Sequence, residues 1–121
     1  MGTVTLAAGA LDTDALVPMV CLSGEREVFN GADFLDTRRG LVLRLIVTPD
    51  GTGSIRVFDA AHPLETGLLF GREDCSLFEL SLERTGWRIN DVVDLRVSLA
   101  VGCRKANGDF LQATLTAGHC H

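Results

Sequence analysis

Strict alternation of apolar and polar residues is the feature that most constrains the fold of this 121-residue chain. In VVDLRVSLAV, residues 92–101, apolar side chains occupy every second position, and Asp94 and Arg96 lie between them. Successive side chains of a β-strand point to opposite faces of a sheet, so the pattern predicts a strand with one buried face. The same two-residue period recurs in residues 76–83 and 110–116, which we interpret as further strands.

Turn residues separate the alternating runs. The stretch RRGLVLRLIVTPDGTGSIRVFDA, residues 38–60, holds two strand-like runs around Pro49-Asp50-Gly51 and predicts a long β-hairpin. Asn107-Gly108 predicts a tight hairpin turn, since both residues tolerate positive φ angles. His62-Pro63 and Thr85-Gly86 are interpreted as two more reversals of the chain.

The spacing of these runs predicts an all-β fold. Seven or eight short strands are typical of an antiparallel sandwich, a jelly roll or a small barrel, and we expect a single β-sandwich domain over residues 1–121. Pro18 interrupts the apolar run 15–22 and places that run at an edge or a bend, because proline lacks a ladder donor. One short helical turn is predicted near residues 31–37.

Composition narrows the classes of partner. The net charge is −5 and there is no Lys/Arg-rich run, so the sequence lacks the basic footprint of a nucleic-acid-binding protein. No apolar run approaches the length of a membrane span, and MGTVTLAAGALDTD carries no basic leader of a secretory signal. We therefore expect no nucleic-acid or membrane partner, and synthesis in the cytoplasm.

The four cysteines, Cys21, Cys75, Cys103 and Cys120, are widely spaced and form no CxxC motif. For a protein in a reducing compartment the expectation is free, buried thiols. Disulfides within or between chains are an alternative, and a metal site is another.

No stretch carries a catalytic signature. No serine lies in a GxSxG elbow, and His62 precedes a proline in a predicted loop. We predict no catalytic residue and no cofactor. The tail His119-Cys120-His121 is a weak candidate for a metal site, because imidazole and thiolate bind zinc; no further histidine or carboxylate follows it, as it does in the HxH sites of cupins.

Five residues are candidates for an interface. Val42, Ile46 and Phe58 fall on the second face of the predicted hairpin and would make it partly apolar. Pro18 marks an edge open to strand addition. Trp87, the only tryptophan, is interpreted first as packing over the end of the core, and otherwise as an interface anchor or a sugar-stacking platform.

Three stretches resemble the small all-β virion proteins of tailed bacteriophages, which are the head-decoration (cement) proteins and related head or tail accessories. GTVTLAAGAL resembles their N-terminal strand and loop, GLVLRLIVTPDGTGSIRVFD their central strand, turn and return strand, and GWRINDVVDLRVSLAVGCRKANGDFLQATLTAG their closing hairpin. The four cysteines and the HCH tail depart from that resemblance.

The resemblance implies a non-enzymatic structural subunit that binds capsid or other virion subunits and acts as an oligomer in the virion. Two other functions stay open on the residues themselves. One is a carbohydrate- or ligand-binding β-sandwich that uses Trp87, and the other is a small metal-binding barrel that uses the histidine tail.

Overall fold

The computed structural model describes residues 1–8, 15–63 and 67–121, and within these ranges it shows an all-β sandwich of two antiparallel five-stranded sheets. The first sheet has the order β2-β1-β10-β9-β8 and comprises β1 (Gly2–Ala7), β2 (Ala15–Leu16), β8 (Cys75–Ile89), β9 (Val92–Arg104) and β10 (Phe110–Cys120). The second sheet runs in chain order and comprises β3 (Val20–Ser23), β4 (Gly31–Asp36), β5 (Leu41–Val47), β6 (Gly53–Asp59) and β7 (Leu68–Gly71). The predicted class is confirmed, with ten described strands instead of seven or eight.

The core lies between the two sheets and contains the predicted apolar faces. In β9 from Leu95 onward and in β10 as far as Ala117, every second side chain is buried, as the alternation predicts. The largest fully buried side chains come from both sheets: Phe34, Phe70, Leu6, Leu16, Leu43, Leu45, Ile55, Leu99, Leu111 and Leu115. Burying one such side chain contributes about 1.5–3 kcal/mol, so the facing apolar rows hold the sheets together.

The described residues contain two short 3-10 turns, at Gly24–Glu27 and Arg72–Asp74, and neither is the predicted one. The helical turn expected near residues 31–37 is wrong, because this segment is strand β4. Its apolar side chains Ala32 and Phe34 enter the core, and Asp33 is paired with Arg44 of the neighbouring strand. Cross-strand pairing therefore overrides the low strand propensity of aspartate.

The predicted hairpins of residues 41–59 and 92–116 are confirmed, and the left-handed backbone of Gly51 and Gly108 closes their turns. The reversal expected at Thr85-Gly86 is wrong. These residues lie within the 15-residue strand β8, where Gly86 has a φ of 90° and the pairing with β9 shifts between Arg84 and Arg88. A glycine at positive φ serves a β-bulge as well as a turn.

The apolar run 15–22 splits into two strands that belong to different sheets. β2 pairs with β1 at the edge of the first sheet, and β3 pairs with β4 at the edge of the second. Pro18 lies between them, at the place where the chain crosses from one sheet to the other. The prediction of an edge or a bend at Pro18 is confirmed.

All four cysteines are paired, so the expectation of free thiols is wrong. Cys75 and Cys103 form a disulfide between the paired strands β8 and β9, and Cys21 on β3 forms a disulfide with Cys120 at the end of β10. The second bond joins the two sheets. The partners are 28 and 99 positions apart in the sequence, so only the folded chain brings them together.

No helix in the described part of the chain is both long enough and apolar enough to cross a lipid bilayer.

Candidate functional sites

Most of the exposed apolar side chains lie on edge strands or in the link that joins two edge strands. Among the described residues, eight large hydrophobic side chains are exposed: Met1, Val17, Met19, Val20, Val28, Leu69, Leu77 and Trp87. Six of the eight lie on β3, β7 and β8 or in the link between β2 and β3. β3 and β7 are the two edges of the second sheet, and β8 is an edge of the first. Edge strands offer unpaired backbone groups as well as side chains to another chain.

The five predicted interface residues differ in their exposure to solvent. Val42, Phe58 and Pro18 are buried, and Ile46 is partly buried. Trp87 is exposed over 71% of its surface, so the prediction that it packs over the end of the core is wrong. The role of these five residues in an interface stays a prediction, and Trp87 alone among them presents a large apolar surface to solvent.

Arginine side chains cover the outer face of the second sheet. Arg44 forms two hydrogen bonds with Asp33, of 2.8 and 2.9 Å, and its guanidinium lies 4.5 Å from the ring centre of Phe29. Arg56 lies 4.5 Å from the ring centre of Phe58. The pairing with Asp33 raises the pKa of Arg44, against a smaller opposing effect of burial. Cation–π stacking and a bidentate ion pair thus shield this face from water.

A second feature is a buried carboxylate on the outer face of the first sheet. Asp94 follows the outward parity of β9, yet its side chain is almost completely buried. Its Oδ2 accepts hydrogen bonds from Thr85 Oγ1 at 2.8 Å and from His119 Nδ1 at 2.7 Å. His121 Nδ1 lies 3.8 Å from Oδ1. We call Asp94, Thr85, His119 and His121 the Asp94 cluster.

Two bulges on either side of β9 build this cluster. On β8, the three residues Thr85 to Trp87 stand opposite Asp94 alone. On β10, the register moves by one residue between Ala117 and Cys120, which pairs with Leu95. The shift turns Cys120 inward to its disulfide and brings His121 to the level of Asp94. Bulges re-aim side chains in this way and are frequent beside functional sites.

The hydrogen bonds fix the charge and the tautomer of the cluster. The hydrogen bond from His119 lowers the pKa of Asp94, burial opposes this, and the hydrogen bond from Thr85 adds to the lowering. The carboxylate is therefore ionised at neutral pH and can only accept hydrogen bonds. Because of this, Nδ1 of His119 carries a proton, and in a neutral ring Nε2 holds the lone pair.

The structure removes one of the three predicted metal ligands in the tail. Cys120 is bonded to Cys21 and offers no thiolate, so it leaves the ligand set. His119 and His121 remain together beside Asp94. Within residues 1–8, 15–63 and 67–121, no group of three or more His, Cys, Asp or Glu side chains is arranged to hold a metal ion. His62 lies in the loop after β6.

A shallow groove of about 270 Å³ opens between the 3-10 turn at Gly24–Glu27 and β9. Glu25 lies at its rim, where its carboxylate accepts hydrogen bonds from the Val93 backbone and from Arg88, each 2.9 Å long. These two hydrogen bonds lower the pKa of Glu25. The carboxylate is thus committed to joining the two sheets, which makes it a poor proton acceptor for a reacting group.

Sequence reasoning missed Asp94 because its position in the alternation is that of an ordinary solvent-facing residue. One signal was available. The Asn107-Gly108 turn sets β9 against β10, and this register places the end of β10 opposite the start of β9. This register would have placed Asp94 near the HCH tail, although the sequence gives no sign of the bulge that orients the two histidines.

No known protein family, no curated protein and no solved structure matches this chain.

Proposed function

We propose that this chain is a non-enzymatic structural subunit that assembles with other protein chains through its strand edges. The observation that carries the proposal is the location of its exposed apolar side chains, six of which lie on edge strands or in the link between two of them. An edge that combines free backbone groups with apolar side chains is suited to strand addition from a neighbour.

The more specific form of the proposal is a capsid decoration (cement) protein of a tailed phage, or a related head or tail accessory. The resemblance of three sequence stretches to these proteins supports it. The mechanism is clamping, in which repeated interfaces between subunits raise the free energy needed to open the shell. A standard interface buries about 1,600 Å² in total. Its contribution to the free energy of opening is repeated at every copy of the interface in the shell.

The two disulfides support a function outside the reducing cytoplasm. Disulfides persist in oxidising surroundings, which include the surface of a released virion. Cys21–Cys120 ties an edge strand of the second sheet to the first sheet, close to the exposed Val20. A fixed edge loses less conformational entropy when a partner binds it.

The test uses capsids produced by the genome that encodes the chain. The purified chain should co-sediment with these capsids and raise the temperature at which they open. Met19→Asp and Val20→Asp place a charge on the exposed edge and should weaken co-sedimentation. Thr114→Asp is the matched control, since Thr114 is exposed on the central strand β10 and should leave binding unchanged.

Either of two results would overturn the proposal. One is a wild-type chain that stays a monomer in size-exclusion chromatography and does not co-sediment with the capsids. The other is equal binding by the two edge variants and the Thr114 control.

A carbohydrate-binding module is the second candidate, and the exposure of Trp87 favours it. An exposed indole is a common platform for stacking a sugar ring. A glycan array should then show signals that Trp87→Ala abolishes. An array without any Trp87-dependent signal removes this candidate.

A further inference from the structure

We infer that His119 and His121 form a two-imidazole site for a divalent transition-metal ion such as Zn²⁺, and that the buried Asp94 carboxylate orients both rings. The inference concerns the Asp94 cluster and does not depend on the proposed assembly through strand edges.

The orientation of the rings is the first argument. Each ring turns its Nδ1 towards the same carboxylate, at 2.7 Å for His119 and 3.8 Å for His121. The Nε2 atoms therefore face away from Asp94. The side chains are 69% and 42% exposed, so an ion can approach from solvent. Histidines that bind metals nearly always donate the other ring N–H to a carboxylate or a carbonyl group.

Two buried atoms without partners are the second argument. Among the described residues, Asp94 Oδ1 and His121 Nδ1 are both shielded from water and lack a hydrogen-bond partner. Leaving a buried polar atom without a hydrogen-bond partner is energetically unfavourable. An ion on Nε2 of His121 fixes the proton on Nδ1, and a small movement of the ring then lets Nδ1 donate to Oδ1. Metal binding thus satisfies both atoms.

The ligand chemistry selects the class of ion. Neutral imidazole suits zinc, copper and nickel, whereas magnesium and calcium take oxygen ligands. Cys120 cannot be a metal ligand, because its sulfur is bonded to Cys21. The same disulfide fixes the backbone between the two histidines. Two imidazoles fill half of a tetrahedral zinc site. Water or groups of a second chain supply the other positions.

The experiment is a calorimetric titration of the untagged, oxidised chain with ZnCl₂ at neutral pH. The wild type should bind close to one equivalent, or half an equivalent if two chains share the ion, and size-exclusion chromatography with and without zinc separates these cases. His119→Gln and His121→Gln should each weaken binding by about tenfold or more. His62→Gln is the matched control and should bind as the wild type does.

Asp94→Asn tests the orienting role of the carboxylate. It should weaken zinc binding by about 10- to 100-fold while both imidazoles are present. Should this variant fail to fold, judged by circular dichroism, the two tail variants carry the test alone. The inference is overturned if the wild type binds no zinc, or if both tail variants bind it as tightly as the wild type does.

Discussion

Replacing Cys21 and Cys120 by alanine should lower the free energy of unfolding more than replacing Cys75 and Cys103 does. The bond joins residues 99 positions apart, whereas Cys75–Cys103 joins residues 28 positions apart. In the chain-entropy treatment, the stabilisation grows with the logarithm of the loop that the bond closes in the unfolded chain. It comes to about 4.7 kcal/mol for the longer loop and about 3.6 kcal/mol for the shorter one.

The matched comparison is the double variant Cys75→Ala/Cys103→Ala. Both double variants lose one sulfur at each of two positions, so the loss of side-chain volume is the same, and the loops differ. Urea unfolding followed by tryptophan fluorescence and circular dichroism gives the two free energies of unfolding. The variant without Cys21–Cys120 should be less stable than its counterpart by about 1 kcal/mol.

Two controls complete the design. Thiol titration of the unfolded, unreduced wild type should find all four cysteines unreactive, and reduction of the wild type should lower its stability below that of either double variant. The reasoning is refuted if the variants are equally stable, or if loss of the shorter cross-link costs more. Either result would mean that strain or packing outweighs the loop entropy.

Three further predictions concern single side chains. Asp36→Ala should lower the free energy of unfolding by about 2–4 kcal/mol at neutral pH, because this buried carboxylate accepts hydrogen bonds from three backbone N–H groups and from Arg39. Burial raises the pKa of Asp36, but the hydrogen bonds from Val17 and Arg39 together lower it by a larger amount, so the net pKa is below the ordinary value of 3.8. Its contribution is therefore complete above about pH 4 and lost as the pH falls through the lowered pKa. A urea titration series should show the wild type and Asp36→Ala converging in acid, and a constant difference would contradict this. Gly31→Ala should destabilise the chain by several kcal/mol in thermal unfolding, because its Cβ would lie 1.8 Å from a backbone oxygen and its φ is 153°; Gly118→Ala, with open space around its Cβ, should cost less than about 1 kcal/mol, and equal costs would refute the clash. Arg44→Met should cost about 2–3 kcal/mol in urea unfolding, whereas removing the exposed Arg96 of a 3.8 Å ion pair should cost under about 0.5 kcal/mol; similar losses would show that partial burial of the pair adds nothing.

Long parts of the first sheet could be predicted from sequence because the alternation is regular over residues 76–83, 92–101 and 110–116. In β9, the inward residues from Val93 to Val101 are all apolar and their outward neighbours are mostly polar. β4 and β7 were not predicted. β4 carries two aspartates, which are poor strand formers without their arginine partners, and β7 has only four residues. The pattern within a single segment does not contain the contacts that stabilise these strands. β4 is stabilised by pairing with β5, and β7 by pairing with β6.

The candidate sites depend on contacts that single segments do not contain. The Cys21–Cys120 disulfide and the Asp94 cluster both require the one-residue shift in β10, without which Cys120 would face outward. The bulge has a weak signal in Gly118, and the same residue type also marks turns and strand ends. The exposed Trp87 lies in the bulge of β8, where Thr85-Gly86 could not be distinguished from a reversal of the chain.

The strand order has a consequence for synthesis. The five strands of the second sheet are neighbours in the sequence, so this sheet can form as the ribosome delivers them. The first sheet cannot, because β10 is inserted between β1 and β9 and is the last of the ten strands to be made. Until then β1 has no partner on that side. We therefore expect the nascent chain to hold one finished sheet and an open hydrophobic face, and to need a chaperone most in the moments before β10 leaves the exit tunnel.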